Sequence, residues 1–164
     1  MTKETYIKIT EPLRKHPGKT RLVISVNKVL TGLVYLAYPA FLLLLFWKKE
    51  PFLLRAVLVP AISFVGVSLF RQWYNAPRPY EKFDIPPVIA KDTKGKSFPS
   101  RHVFSVFVIA ITVFEQYQAA GLVLCVVGIG LALIRVLGGV HEPRDVVAGA
   151  IIGIFSGVLG YYML

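Results

Sequence analysis

The sequence predicts an all-α fold, a multi-pass transmembrane helical bundle of about five spans plus an N-terminal interfacial amphipathic helix. Three observations carry this prediction. Hydrophobic residues make up 55% of the 164 residues and charged residues only 17%, at a mean hydropathy of +0.60. A soluble domain holds about 45–50% and about 25%. The apolar residues fall in runs close to the ~20 that a helix needs to cross a bilayer. Polar, charged or proline-bearing stretches separate those runs.

Residues 1–21 form the first unit. Lys3, Lys8, Arg14, Lys15, Lys19 and Arg21 outnumber Glu4 and Glu11, and Tyr6, Ile9 and Leu13 supply a short apolar stripe. That pattern predicts a helix lying on the membrane, broken near Pro12 or Pro17. Residues 22–164 form the transmembrane domain. Its first span is Leu22 to Trp47, with Lys28 placed to snorkel to the interface. Lys48, Lys49, Glu50 and Pro51 make a turn, and Pro51 opens a second span from Phe52 to Phe70. The third span runs from His102 to Gln116, the fourth from Ala119 to Leu137 and the fifth from Val146 to Leu164. Trp47, Trp73 and Tyr74 fall near span ends, where an aromatic belt places them. Gly149, Gly153 and Gly157 recur every fourth residue, a small-residue face for close helix packing. Arg71 to Arg101 contains five prolines and reads as a long loop, a feature that usually carries function. Cys125 is the sole cysteine, so no intramolecular disulfide forms. The net charge of +10 fits an anionic membrane surface or an acidic substrate. Nucleic acid is excluded as a partner because the apolar runs are too long for a basic soluble domain.

The chemistry collects where the topology brings span ends together. If the helices alternate in direction, Arg71, His102, Arg135 and His141 all reach the same membrane surface. Arg71 and Arg78 offer guanidinium forks of the kind that bind phosphate. Ser100 is placed to cap the third span, whose N-terminal N–H groups can hold an anion. Arg135 adds a third fork. His141 and Asp145 are four apart, a spacing that puts side chains on one helical face. A carboxylate there fixes the imidazole tautomer and leaves the other nitrogen free to attack. Two histidines then divide the work of phosphoryl transfer: one attacks phosphorus and the other protonates the leaving oxygen. His102, His141 and Asp145 are also metal-ligand types. Three converging arginines favour an anion over a cation, so no metal and no cofactor are expected.

At these residues the sequence resembles the type-2 phosphatidic acid phosphatase superfamily, which also contains vanadium haloperoxidases. The three motifs read RQWYNAPRP at Arg71 to Pro79 (residues 71–79), PSRH at Pro99 to His102 (99–102) and IRVLGGVHEPRD at Ile134 to Asp145 (134–145). The resemblance runs over about residues 52–164. It implies that His141 is the nucleophile, Asp145 its orienting partner and His102 the general acid and then base. It implies that Arg71, Arg78, Arg135, Ser100 and the backbone N–H of Arg101 bind phosphate oxygens without a metal. Three positions depart from the family pattern: Arg71 replaces Lys, Ile134 replaces Ser and Arg101 replaces Gly. Arg101 keeps its N–H but places a long cation at the phosphate rim.

The expected function is hydrolysis of a phospholipid phosphate or a polyprenyl diphosphate, with membrane lipids as the surroundings. The alternatives are a non-catalytic anionic-lipid-binding protein and a vanadate-type peroxidase. The excess of Lys and Arg on the active-site face argues for the cytoplasm, but arginines held for catalysis inflate that count. The resemblance implies a bacterial plasma-membrane protein with its active site on the extracytoplasmic face.

Overall fold

The computed structural model describes residues 1–163; Leu164, which the fifth predicted span included, lies outside the described residues. The helices in order are α1 (Lys3–Arg14), α2 (Pro17–Trp47), α3 (Phe52–Tyr74), α4 (Pro79–Phe83), α5 (Arg101–Phe114), α6 (Gln118–Leu137) and α7 (Pro143–Met163). Among the described residues there is no strand.

The axis of the bundle is α5. Val103, Phe104, Val106, Phe107, Val108, Ile109, Ala110 and Val113 are all buried, so it is apolar around its whole circumference. A helix of that kind must be surrounded by others. It packs most extensively against α7 and α6, then against α3 and α2. Its 14 residues rise only about 21 Å at ~1.5 Å each, short of the ~30 Å hydrocarbon core. So four of the predicted spans are long and apolar enough to cross a membrane, while the third is a short core helix.

Other boundaries also moved. Pro12 is tolerated near the end of α1, and the break falls at Lys15 and His16. Pro17 then opens α2, its missing N–H costing nothing at a first helical position. The unit boundary expected between residues 21 and 22 therefore lies inside a continuous 31-residue helix. The helix runs on through Gly18, so Lys19 and Arg21 ride on its first turns. The second span runs a turn past Phe70 to Tyr74 and stops at Asn75, whose φ of 42° is left-handed. The long polar stretch holds the short helix α4.

The glycine ladder of α7 lies against α5. A Cβ on Gly149 would stand 2.7 Å from the Ser100 carbonyl oxygen, and one on Gly153 would stand 2.6 Å from that of Phe104. On Gly157 it would meet the Ile111 Cβ at 2.8 Å. Backbone thus touches backbone, and that contact sets the height of Ser100 relative to the start of α7. Gly153→Ala should force the helices apart and destabilise the protein by about 1–3 kcal/mol. Gly66, with nothing within 4 Å of its would-be Cβ, is the control; Gly66→Ala should be neutral or slightly stabilising. Thermal unfolding in detergent distinguishes the two.

Candidate active site

The N-terminus of α5 meets the C-terminal ends of α3 and α6 and the turn before α7. Arg71 sits in the last turn of α3 and donates to the carbonyls of Lys96, Ser97 and Pro99, the Ser97 bond being 3.1 Å. It thereby holds the loop that leads into α5. Arg78 donates from Nε to Gly95 O at 3.1 Å and from Nη1 to Val140 O at 3.2 Å. Arg135, in the last turn of α6, donates from Nη1 to Asn27 Oδ1 at 3.3 Å.

These three guanidiniums are buried, at 6%, 4% and 3% exposure. Among the described residues no carboxylate forms an ion pair with any of them. Unpaired buried charge costs several kcal/mol per ion. Arg135 Nε and Nη2 and Ser100 Oγ are buried without a hydrogen-bond partner among the described residues. Each such orphan costs about 1–3 kcal/mol. An anion with several oxygens satisfies both the charges and the orphans.

Ser100 occupies the N-cap position of α5, but its hydroxyl makes no capping bond, contrary to the sequence expectation. Its N–H is bonded to the Asp145 carbonyl at 2.8 Å, which docks the start of α5 on α7 and leaves the hydroxyl unspent.

His141 also departs from expectation in detail. It lies in the turn before α7 rather than on a helical face shared with Asp145. Asp145, in the first turn of α7, reaches back. Its Oδ2 accepts from the Ser97 hydroxyl at 2.6 Å and the Glu142 N–H at 3.0 Å, and lies 3.4 Å from His141 Nδ1. With Nδ1 facing the carboxylate, Nε2 is the nitrogen left for chemistry. Burial pushes the His141 pKa down to about 4, Arg135 and Arg78 push the same way, and the Asp145 hydrogen bond opposes them. The imidazole is therefore neutral at pH 7.

His141, His102, Arg71, Arg78 and Arg101 line one cavity of about 190 Å³ together with Lys91, Thr93 and Lys96. Ser100, Arg135 and Asp145 are buried around them. A larger apolar groove of about 600 Å³ lies between α2, α3 and α5, and it shares Arg101 and His102 with the first cavity. Arg101 is exposed, its guanidinium carbon 5.3 Å from the centre of the Phe64 ring.

Three contributors were not singled out from sequence. Ser97 lies in a loop where no periodicity marks it, yet it makes the shortest of the three bonds to Asp145 Oδ2. Glu142, 3% exposed beside His141, takes ion pairs from the Met1 amino group at 3.2 Å, Lys82 at 3.3 Å and Arg144 at 3.1 Å. Tyr6, read only as part of an apolar stripe, is buried and donates its hydroxyl to Gly139 O at 3.2 Å. Gly139 has a φ of +71°, and a Cβ there would stand 2.7 Å from the Tyr6 hydroxyl. Thus α1 packs on the turn that carries His141.

A family model described as the PAP2 superfamily matches residues 52–164. The chain belongs to the PAP2 superfamily. The matched stretch holds α3 to α7 and every residue of the three motifs. Two crystal structures share the PAP2 fold with this chain. Aquifex aeolicus LpxE aligns with a TM-score of 0.75 at 24% identity, covering 97% of this chain and 93% of that one. The structure titled the first transmembrane PAP2 type phosphatidylglycerolphosphate phosphatase from Bacillus subtilis aligns at 0.63 and 22%, covering 88% and 81%. The first of these brings α1 and α2 within the shared fold. The bacitracin transport permease protein BcrC of Bacillus licheniformis is 33% identical over 66 residues, 40% of this chain. That match spans 32%, about a third, of the curated relative's length.

Proposed function

We propose that this PAP2 superfamily protein is an integral-membrane lipid phosphate phosphatase that works through a phosphohistidine. The observation that carries the reading is the pocket itself. Three buried arginines, without carboxylate partners among the described residues, surround a neutral histidine, and the pocket shares Arg101 and His102 with an apolar groove.

The chemistry follows from the atoms present. The acyl or prenyl tail lies in the apolar groove and the phosphate enters the polar cavity. Phosphate oxygens accept from Arg135 Nε and Nη2, the Ser100 hydroxyl, Arg78 and the N–H groups at the start of α5. Arg71 adds charge while its donors hold the loop. His141 Nε2 attacks phosphorus as the bond to the leaving oxygen breaks, and His102 gives that oxygen its proton. Burial and then Arg135 push the His102 pKa down to about 3, and the negative charge of the bound phosphate raises it so that the ring carries that proton. Water then attacks the phosphohistidine, passing a proton to His102. Asp145 keeps the tautomer and stabilises the imidazolium, with Ser97 holding the carboxylate. The arginines supply the charge stabilisation that a metal supplies elsewhere, so the reaction proceeds without one. The relatives are bacterial, and the proposed setting is a bacterial plasma membrane with the site on the extracytoplasmic face and α1 at the interface.

The test is phosphate release by purified protein in detergent containing a chelator, from phosphatidate, phosphatidylglycerol phosphate and a prenyl diphosphate. Release from none of them would refute the reading in favour of a lipid-binding role. Arg135→Lys keeps the charge but loses the fork. It should lower kcat by about 10²–10³-fold, the usual loss for one transition-state donor.

A further inference from the structure

The polar cavity carries more positive charge than one phosphate neutralises. Its lining includes Arg71, Arg78, Lys91, Lys96 and Arg101, and among the described residues no carboxylate lines it. Glu81, in the same region, is occupied by the backbone N–H groups of Arg78 and Gly95. A phosphate monoester brings only about −1.5 to −2.

The surplus is also ordered in space. Buried Arg71, Arg78 and Arg135 surround the His141 end. Arg101 is exposed and lines both the polar cavity and the apolar groove. Its guanidinium rests on the Phe64 face, which fixes it at that junction. A substrate with its tail in the groove and its terminal phosphate at His141 must pass its linking group beside Arg101. Lys91 shares the cavity, and its ammonium pKa is pushed down first by burial and then by Arg135, Arg78, Arg101 and Arg71. A second anion beside it relieves that repulsion.

Building on the phosphatase reading, we propose that Arg101 and Lys91 form a second anion subsite that selects lipid diphosphates over lipid monophosphates. His141 Nε2 attacks the terminal phosphorus while its bond to the bridging oxygen breaks. The bridging oxygen leaves with the bonding electrons as part of a lipid monophosphate and takes the His102 proton, and Arg101 and Lys91 neutralise the charge that develops there. Water then attacks the phosphohistidine, its proton passes to His102, and inorganic phosphate departs with His141 restored. Arg101 and Lys91 act as specificity residues, since they touch the leaving group and not the attacked phosphorus.

The experiment compares farnesyl diphosphate with farnesyl monophosphate, using the full chain in detergent. The wild type should favour the diphosphate in kcat/KM by at least about 10-fold. Arg101→Gln should reduce that preference by about 10- to 100-fold, the worth of one hydrogen bond to a charged group. Arg101→Lys should recover part of it, and Lys91→Gln should reduce it independently. A preference unchanged in both Gln variants, or a wild type that favours the monophosphate, overturns the subsite and leaves the phosphatase reading standing. Release from neither compound, nor from any other lipid phosphate, defeats both. Unchanged thermal midpoints show that the variants are folded. A Gln variant with a lowered midpoint is set aside, and the other decides.

Discussion

His141→Ala should abolish turnover, lowering kcat by on the order of 10⁵- to 10⁶-fold, as loss of a nucleophile does elsewhere. No neighbouring group can take over. Among the described residues the Ser100 hydroxyl has no hydrogen-bond partner to act as its base, and the Ser97 hydroxyl is held by Asp145 at 2.6 Å on the Nδ1 side of His141, away from the attacking Nε2. The scaffold should survive, because Asp145 keeps its bonds to Ser97 and to the Glu142 N–H. Arg71, Arg78 and Arg135 remain, so KM should move far less than kcat. The check is phosphate release together with an alkaline-quench trap of labelled enzyme, since phosphohistidine survives base. The wild type should carry label and the variant none. A variant that still turned over would show that another atom attacks phosphorus.

Much of the candidate site's geometry was legible because its residues obey spacing rules that survive folding. Arg71 and Arg135 end apolar runs, His102 begins one, and alternating helix direction brings such points together. The four-residue glycine repeat likewise announced a close helix contact, though not that its partner is α5. What escaped the sequence has physical reasons. An apolar run looks the same whether it faces lipid or protein, so only the short length of α5 betrays it as a core helix. Ser100 is the right residue type for a cap, yet its N–H is claimed by Asp145 and its hydroxyl is left for another acceptor. Ser97 and Glu142 owe their roles to irregular backbone, where no period links sequence to direction; Tyr6 sits on the expected apolar stripe of α1, but the stripe does not name what it packs against. The attachment of α1 to the Gly139 turn is a tertiary contact across 133 residues, with no trace in local pattern.

Asp145→Asn separates orientation from scaffolding at this same turn. The Asp145 carbonyl still receives the Ser100 N–H, so the α5–α7 junction is untouched. The amide can still accept one of the bonds made to Oδ2. What it loses is the charge and the certainty of tautomer: its NH2 can face Nδ1 and strand the proton on Nε2. The expected loss in kcat/KM is about 10³–10⁴-fold, by analogy with an aspartate in a hydrolase triad. The pH profile gives the discriminating signature. His141 must be the free base to attack, so its contribution falls as pH drops through its pKa of about 4. The Asp145 bond raises that pKa, whereas burial and the arginines lower it. Removing the carboxylate therefore moves the His141 limb to lower pH even as the rate collapses. A variant that is merely misfolded loses amplitude with the limb unmoved. A limb shifted to higher pH, or a loss smaller than about 10-fold, would mean that Asp145 does not position His141.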